Sequence, residues 1–228
     1  MDPKEREVLT ILFNTNKTIF NAKKSNTHRM NSLQDINTQR YNRLYNISID
    51  SLDHPLQILR SEIQNILMFS LEYMDFLSTV RGINLYDCAE IIVNIRNINR
   101  FKNKKHFFSY AGLAPVYRHH NRYHKITKYG KGRAVANKKS DPIDYREDLK
   151  TVLTRCTVKM IKVDNEYKKY YDRQLKRLKF ANPMHKRKRI HLMALKKTVI
   201  RFANKIYYEF NRINKLEKEL ESGENESR

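Results

Sequence analysis

The clearest hydrophobic periodicity in the chain begins at residue 56. Leu56, Leu59, Ile63, Ile66, Ser70, Tyr73, Leu77 and Val80 recur at three- and four-residue spacing, and Leu67, Leu71 and Met74 widen the stripe. That spacing predicts one amphipathic helix of about 25 residues, a rod of roughly 37 Å. Such a stripe serves either a coiled-coil seam, and with it a homodimer through 56–80, or a helix inside a bundle; its mixed apolar positions favour the bundle. His54-Pro55 marks the start, because proline suits the first turn of a helix. Residues 1–55 before it are polar and Asn-rich. They read as an N-terminal segment or linker, with a short helix over Val8, Leu9, Ile11, Leu12 and Phe13.

Arg81-Gly82-Ile83-Asn84 interrupts the stripe, and a second helix follows with Leu85, Cys88, Ala89, Ile91, Ile92 and Ile95 on its apolar side. Helix, glycine turn, helix is the outline of a helix-hairpin-helix, whose turn can hold a phosphate on backbone N–H groups. An ordinary αα-turn has the same outline. Phe101 to Tyr110 reads as a short helix closed by Gly112, with Pro115 beyond. Val116 to Thr127 reads as a small β-hairpin turning near Asn121. Ser140-Asp141-Pro142 opens a helix through Leu149, Leu153, Val158 and Ile161 to a break near Asp164-Asn165. A further helix ends before Asn182-Pro183. The last runs from about His185 to Leu220 through Leu192, Leu195, Val199, Phe202, Ile206, Phe210 and Ile213. The class is mainly α: a helical bundle with a helix-hairpin-helix-like turn, a small β-hairpin and long flanking helices. The expected organisation is a polar segment over 1–55, a coiled-coil-like helix over 56–80, a nucleic-acid-binding domain over 81–215 and a disordered acidic tail over 216–228.

Charge adds a partner to this picture. Lys plus Arg number 46 against 24 acids, a formal net charge of +22 over 228 residues. A polyanion, most often nucleic acid, is the simplest account of that excess, a ribosome-like solvated surface the bland one. From Ile91 to Ser140 there are 13 Lys/Arg and no acid, and from Lys168 to Arg189 there are 10 against Asp172 alone. Folding can bring the two blocks onto one phosphate-binding face. Two cysteines exclude a disulfide scaffold and a four-cysteine zinc site. The absence of a long apolar run excludes a transmembrane helix, so no membrane partner is expected. The N-terminus carries no apolar signal core, which points to a cytoplasmic, nucleoid-associated protein.

One stretch goes beyond pattern. Gly82-Ile83, a helix, Ile98-x-x-Phe101, Phe108-x-Tyr110-Ala111-Gly112-Leu113-Ala114-Pro115 and Ile126-Thr127-Lys128-x-Gly130 follow one another in a single order. Downstream come Tyr171-Asp172-Arg173-Gln174-Leu175 and a basic-apolar helix over Arg187 to Phe210. This order resembles the C-terminal domain of transposases of the insertion sequence 110/116/902 family. The resemblance implies DNA transposition by a recombinase-like protein. In that family a RuvC-like domain with four acidic metal ligands precedes a coiled-coil segment and a C-terminal domain that supplies a serine nucleophile. DNA is the implied partner, and a structured guide RNA a second one.

The chain departs from that pattern twice. Asp35, Asp50, Asp53, Glu62, Glu72 and Asp75 do not follow apolar strands, so no RuvC-like ligand set is apparent, and Mg²⁺ is expected only if such a domain is supplied elsewhere. Between Pro115 and Ile126 the sequence VYRHHNRYHK holds no serine. Hydroxyls at Ser109, Tyr117, Tyr123 and Thr127 do not match the motif position. Lys139-Ser140-Asp141-Pro142-Ile143-Asp144 is similar to an acidic element of the RuvC-like domain, but reads better as a helix cap. His119, His120 and His124 lack the acidic or cysteine neighbours of a metal site. The catalytic residues therefore stay unassigned, and whether the chain is an enzyme stays open. The candidate DNA-binding residues are Gly82, Arg118, Arg122, Lys125, Lys128, Lys131, Arg133, Lys186, Arg187, Lys188 and Arg189. Two readings follow: a truncated or divergent insertion-sequence transposase, or a non-catalytic nucleic-acid-binding remnant or RNA-binding basic protein.

Overall fold

The computed structural model describes residues 3–32, 46–114 and 147–226. Among them every regular element is a helix and none is a strand. The expected β-hairpin at 116–127 and the cap at Ser140-Asp141-Pro142 lie outside the described residues. The helices are α1 (Pro3–Ser32), α2 (Asp53–Met68), α3 (Leu85–Ile95), α4 (Lys104–Tyr110), α5 (Glu147–Met160), α6 (Glu166–Ala181) and α7 (Arg187–Glu226). No described helix is long and apolar enough to cross a membrane. The chain divides into two compact units, one from Met1–Arg96 with Arg212–Arg228, the other from Asn97–Asn211.

In the first unit, α1 extends well beyond the short helix expected from Val8–Phe13. Leu9, Phe13 and Asn16 repeat on one face and are buried, and α1 packs on α2 and α3. Polar residues elsewhere on α1 mask this narrow stripe. The packing also covers the stripe of α2: Leu56, Ile63 and Leu67 are buried within the unit. A bundle helix is the outcome, and that face does not remain as an exposed seam.

The single rod expected over 56–80 is broken. The helix ends at Met68, a π-helical turn covers Glu72–Phe76 and a 3₁₀ turn covers Leu77–Thr79. Ser70 is the cause. Its hydroxyl donates to Glu72 Oε2 at 2.8 Å and accepts from the Tyr73 N–H at 3.3 Å, offering the backbone a local alternative to helix. Glu72, 1% exposed, is neutralised by Arg6 of α1, Nη2 to Oε1 2.5 Å. A buried carboxylate needs such a partner, so the kink and the docking of α1 are one arrangement. α3 starts at a capping box: Asn84 accepts from the Asp87 N–H at 2.9 Å, and Asp87 accepts from the Asn84 N–H at 3.1 Å. Cys88, Ala89, Ile91, Ile92 and Ile95 are buried on α3 as their spacing predicts.

In the second unit, α6 and the first part of α7 form an antiparallel hairpin. Tyr167 meets Phe202 edge-to-face at 5.5 Å, Arg201 lies over the Tyr170 ring, and Lys197 donates to Gln174 at 3.4 Å. Nearer the turn, Leu178, Ile190 and Ala194 form a small core with Tyr171, Leu175 and Met193 against it. Asn165 starts α6 by accepting from the Tyr167 and Lys168 N–H groups, at the expected break. Leu149, Val152, Leu153, Cys156 and Met160 are buried on α5. At the far end α7 stays helical to Glu226, where disorder from residue 216 is expected from composition. Lys215 and Glu219, one turn apart at 3.6 Å, show how alternating charge supports that helix.

Candidate nucleic-acid interface

The motif residues of the second unit build a compact aromatic node. Phe101 lies 5.3 Å from Phe107 and 5.1 Å from Tyr110, ring centre to ring centre. The Arg100 guanidinium sits 4.6 Å from the Phe101 ring and 4.2 Å from the Tyr110 ring. Such cation–π contacts fix the arginine on an aromatic surface. α4 then stops in a defined way. Gly112 takes φ 63, its N–H bonds the Ser109 carbonyl at 3.0 Å, and the Leu113 N–H bonds the Phe108 carbonyl at 2.8 Å. This is a Schellman cap, and Leu113 is buried beside it. The Tyr110-Ala111-Gly112-Leu113 run is therefore structural: ring, helix end, left-handed residue, core anchor. Ser109 lies on this helix and is half-buried.

Residues 74–172 match the sequence model of a family described as Transposase IS116/IS110/IS902 family. Over that segment the chain is similar to insertion-sequence transposases. No curated protein matches the chain. The matched segment begins in the π-helical turn, takes in α3, the aromatic node, α4 and α5, and ends at Asp172 within α6. The resemblance read from Gly82 onward holds as far as Asp172.

The candidate contacts divide sharply. Arg118, Arg122, Lys125, Lys128, Lys131 and Arg133 lie outside the described residues, as do Tyr117, Tyr123, Thr127 and the three neighbouring histidines. Gly82 takes φ 98 in the turn before α3. The helix end beside it is capped by Asn84 and carries Asp87, whose capping box occupies the Asn84 and Asp87 N–H groups. Lys186, Arg187, Lys188 and Arg189 are all exposed, at the α6–α7 turn and the first turn of α7. α1, α2, α3 and α6 carry an acid in the first turn; α7 carries none. Cations there oppose the helix dipole by about 0.3–1 kcal/mol each, and a bound anion reverses the sign. Lys176, Arg177 and Lys179 of the facing helix end are also exposed. Among the described residues none of these three is ion-paired.

One feature of this end has no counterpart in the sequence reading. Tyr171, Leu175, Lys179, Arg187, Ile190 and His191 line a cavity of about 210 Å³ between α6 and α7. Tyr171 Oη and His191 Nδ1 share a 2.5 Å hydrogen bond, their rings edge-to-face at 5.7 Å. Burial, helped by Asp172, pushes the Tyr171 phenol up, while Arg187 pulls it down. The hydroxyl therefore keeps its proton to higher pH than a free phenol does. The Tyr171–Leu175 element marks this helix in the sequence, but nothing there pairs it with His191.

Mg²⁺ does not fit the carboxylates seen. Glu72 is held by Arg6 and Ser70, Asp53 by Lys23, and Asp87 by its capping box, while Lys17 lies 3.8 Å from Glu90. Among the described residues no group of three potential metal ligands converges.

Proposed function

We propose that the chain acts in transposition as a DNA-binding protein of an insertion sequence, with the α6–α7 hairpin end as a phosphate-contacting surface. The observation that carries this reading is the run Lys186–Arg189, exposed at the start of a helix that lacks a first-turn acid. The basic block Ile91–Ser140 supplies further cations in the same chain. Phosphates of a structured guide RNA fit the same surface, making RNA a competitor for it. Nothing in this reading routes a cleavage step through the described residues. A cytoplasmic, nucleoid-associated location follows from the partner.

The test is a salt series on duplex DNA by fluorescence anisotropy. Each phosphate neutralised contributes about 0.9 to the log–log slope. The K186Q/R187Q/K188Q/R189Q variant is expected to lose between about two and four units of slope. An unchanged slope in that variant, or wild-type affinity independent of salt, would refute the reading.

A further inference from the structure

Two large apolar side chains stand almost wholly in solvent at the α6–α7 turn: Phe180 is 93% exposed and Met184 is 95% exposed. Pro183 between them is exposed as well. Scattered surface hydrophobics are ordinary. These are not scattered, for they share one connection and are flanked by Lys176, Arg177 and Lys179 on one side and Lys186 to Arg189 on the other. Phe69 makes the contrast. It is 77% exposed at the kink after α2, yet residues 61–80 contain no Lys or Arg at all.

The turn is also held in place. The Asn182 N–H and side chain both donate to the Leu178 carbonyl, at 3.0 and 3.3 Å. The His185 N–H bonds the Asn182 carbonyl at 3.1 Å, and the Ile190 N–H bonds the Lys186 carbonyl at 3.2 Å. Leu178 and Ile190 lock the two helix ends together beneath. A pre-ordered apolar tip loses little entropy on docking. A ring of cations tells which surface it meets, because only a polyanion covers seven exposed Lys and Arg side chains around an apolar centre favourably. Duplex DNA offers both: phosphates outside and stacked apolar base faces within.

We propose that Phe180 and Met184 form a wedge that enters a base step of duplex DNA while the flanking cations grip the phosphates on either side. Aromatic and methionine side chains between base pairs unstack them and kink the duplex, and pyrimidine–purine steps yield most readily. The tip lies beyond residue 172, where the family match ends. The inference rests on DNA binding by that hairpin, and the experiment separates the two.

The full chain is titrated into a short duplex carrying 2-aminopurine at a central TA step, with anisotropy reporting binding and 2-aminopurine fluorescence reporting unstacking. Wild type is expected to raise the fluorescence about twofold or more. F180A/M184A is expected to bind with the same salt slope and leave the fluorescence at the free-duplex value. F180W/M184L, which keeps apolar bulk, is expected to restore the rise; circular dichroism confirms the fold of each variant. Binding without a fluorescence rise, or equal rises in wild type and F180A/M184A, overturns the wedge and leaves phosphate binding standing. Failure of wild type to bind at low salt overturns both.

Discussion

Replacing Arg6 by methionine probes the joint between α1 and the kinked segment after α2. Methionine retains much of the aliphatic length and removes the guanidinium that lies 2.5 Å from Glu72. The Glu72 side chain is 2% exposed and Arg6 17%, so the pair sits largely out of water. Breaking such a pair from one side leaves an uncompensated carboxylate and costs about 3–5 kcal/mol. Ser70 still donates to the other oxygen, which places the expected loss at the lower end, about 3 kcal/mol. In a chain of this size that corresponds to a fall in Tm of roughly 6–12 °C for the affected unit. Adding Glu72→Gln removes the stranded charge while keeping an acceptor for Ser70, so R6M/E72Q is expected to recover about half of the loss. Urea unfolding followed at 222 nm, with the double-mutant cycle, measures both. If R6M lies within about 0.5 kcal/mol of wild type, or E72Q gives no recovery in the R6M background, the ion pair does not anchor α1 as argued.

Gly112→Ala places a Cβ at φ 63 and is expected to destabilise the second unit by about 1–2 kcal/mol in urea unfolding. Burial raises the phenols of Tyr167, Tyr171, Tyr86 and Tyr73 above their ordinary value of 10.0. Their native states hold protons that the unfolded chain releases, so their stabilising contribution is complete below pH 10 and declines as pH rises above it. Absorbance titration at 295 nm should show these rings ionising after the exposed ones, and Tyr167→Phe should flatten the alkaline loss of stability. Cys88 and Cys156 are buried thiols outside any disulfide, so a disulfide reagent should find neither in the native protein and both in denaturant; rapid native labelling would contradict the packing of α3 and α5.

Helix content was legible wherever apolar residues kept a 3.6-residue rhythm: α3 buries the side its spacing marks, Leu149 and Leu153 do so on α5 and Leu195 to Ile213 on α7, while Leu192 is exposed and Val158 and Ile161 are half-buried; Gly112 closes α4 as its chemistry requires. Two things were not. The stripe through Ser70 looks continuous to a hydrophobicity count, because a serine at a core position is a small polar exception until its hydroxyl is seen capping the next turn. α1 was obscured in the opposite sense, since three buried positions suffice to dock it and the rest of its surface is polar. At the interface, the charge of Lys186–Arg189 is plain in the sequence. The exposure of Phe180 and Met184, and the meeting of Tyr171 with His191 from another helix, arise only from how the hairpin closes. Apolar residues are expected inside, so a sequence offers no reason to place these two in water.

The first unit is assembled from two stretches of chain separated by the whole of the second. This sets an order on synthesis. All of Asn97–Asn211 leaves the ribosome before Arg212–Arg228 does, so the inserted unit can fold while the enclosing one still lacks its last piece. Closing a loop costs entropy that grows with the logarithm of its length, and an insert already folded shortens the loop to be closed. The enclosing unit is thus completed last, by residues made after the whole of the inserted one.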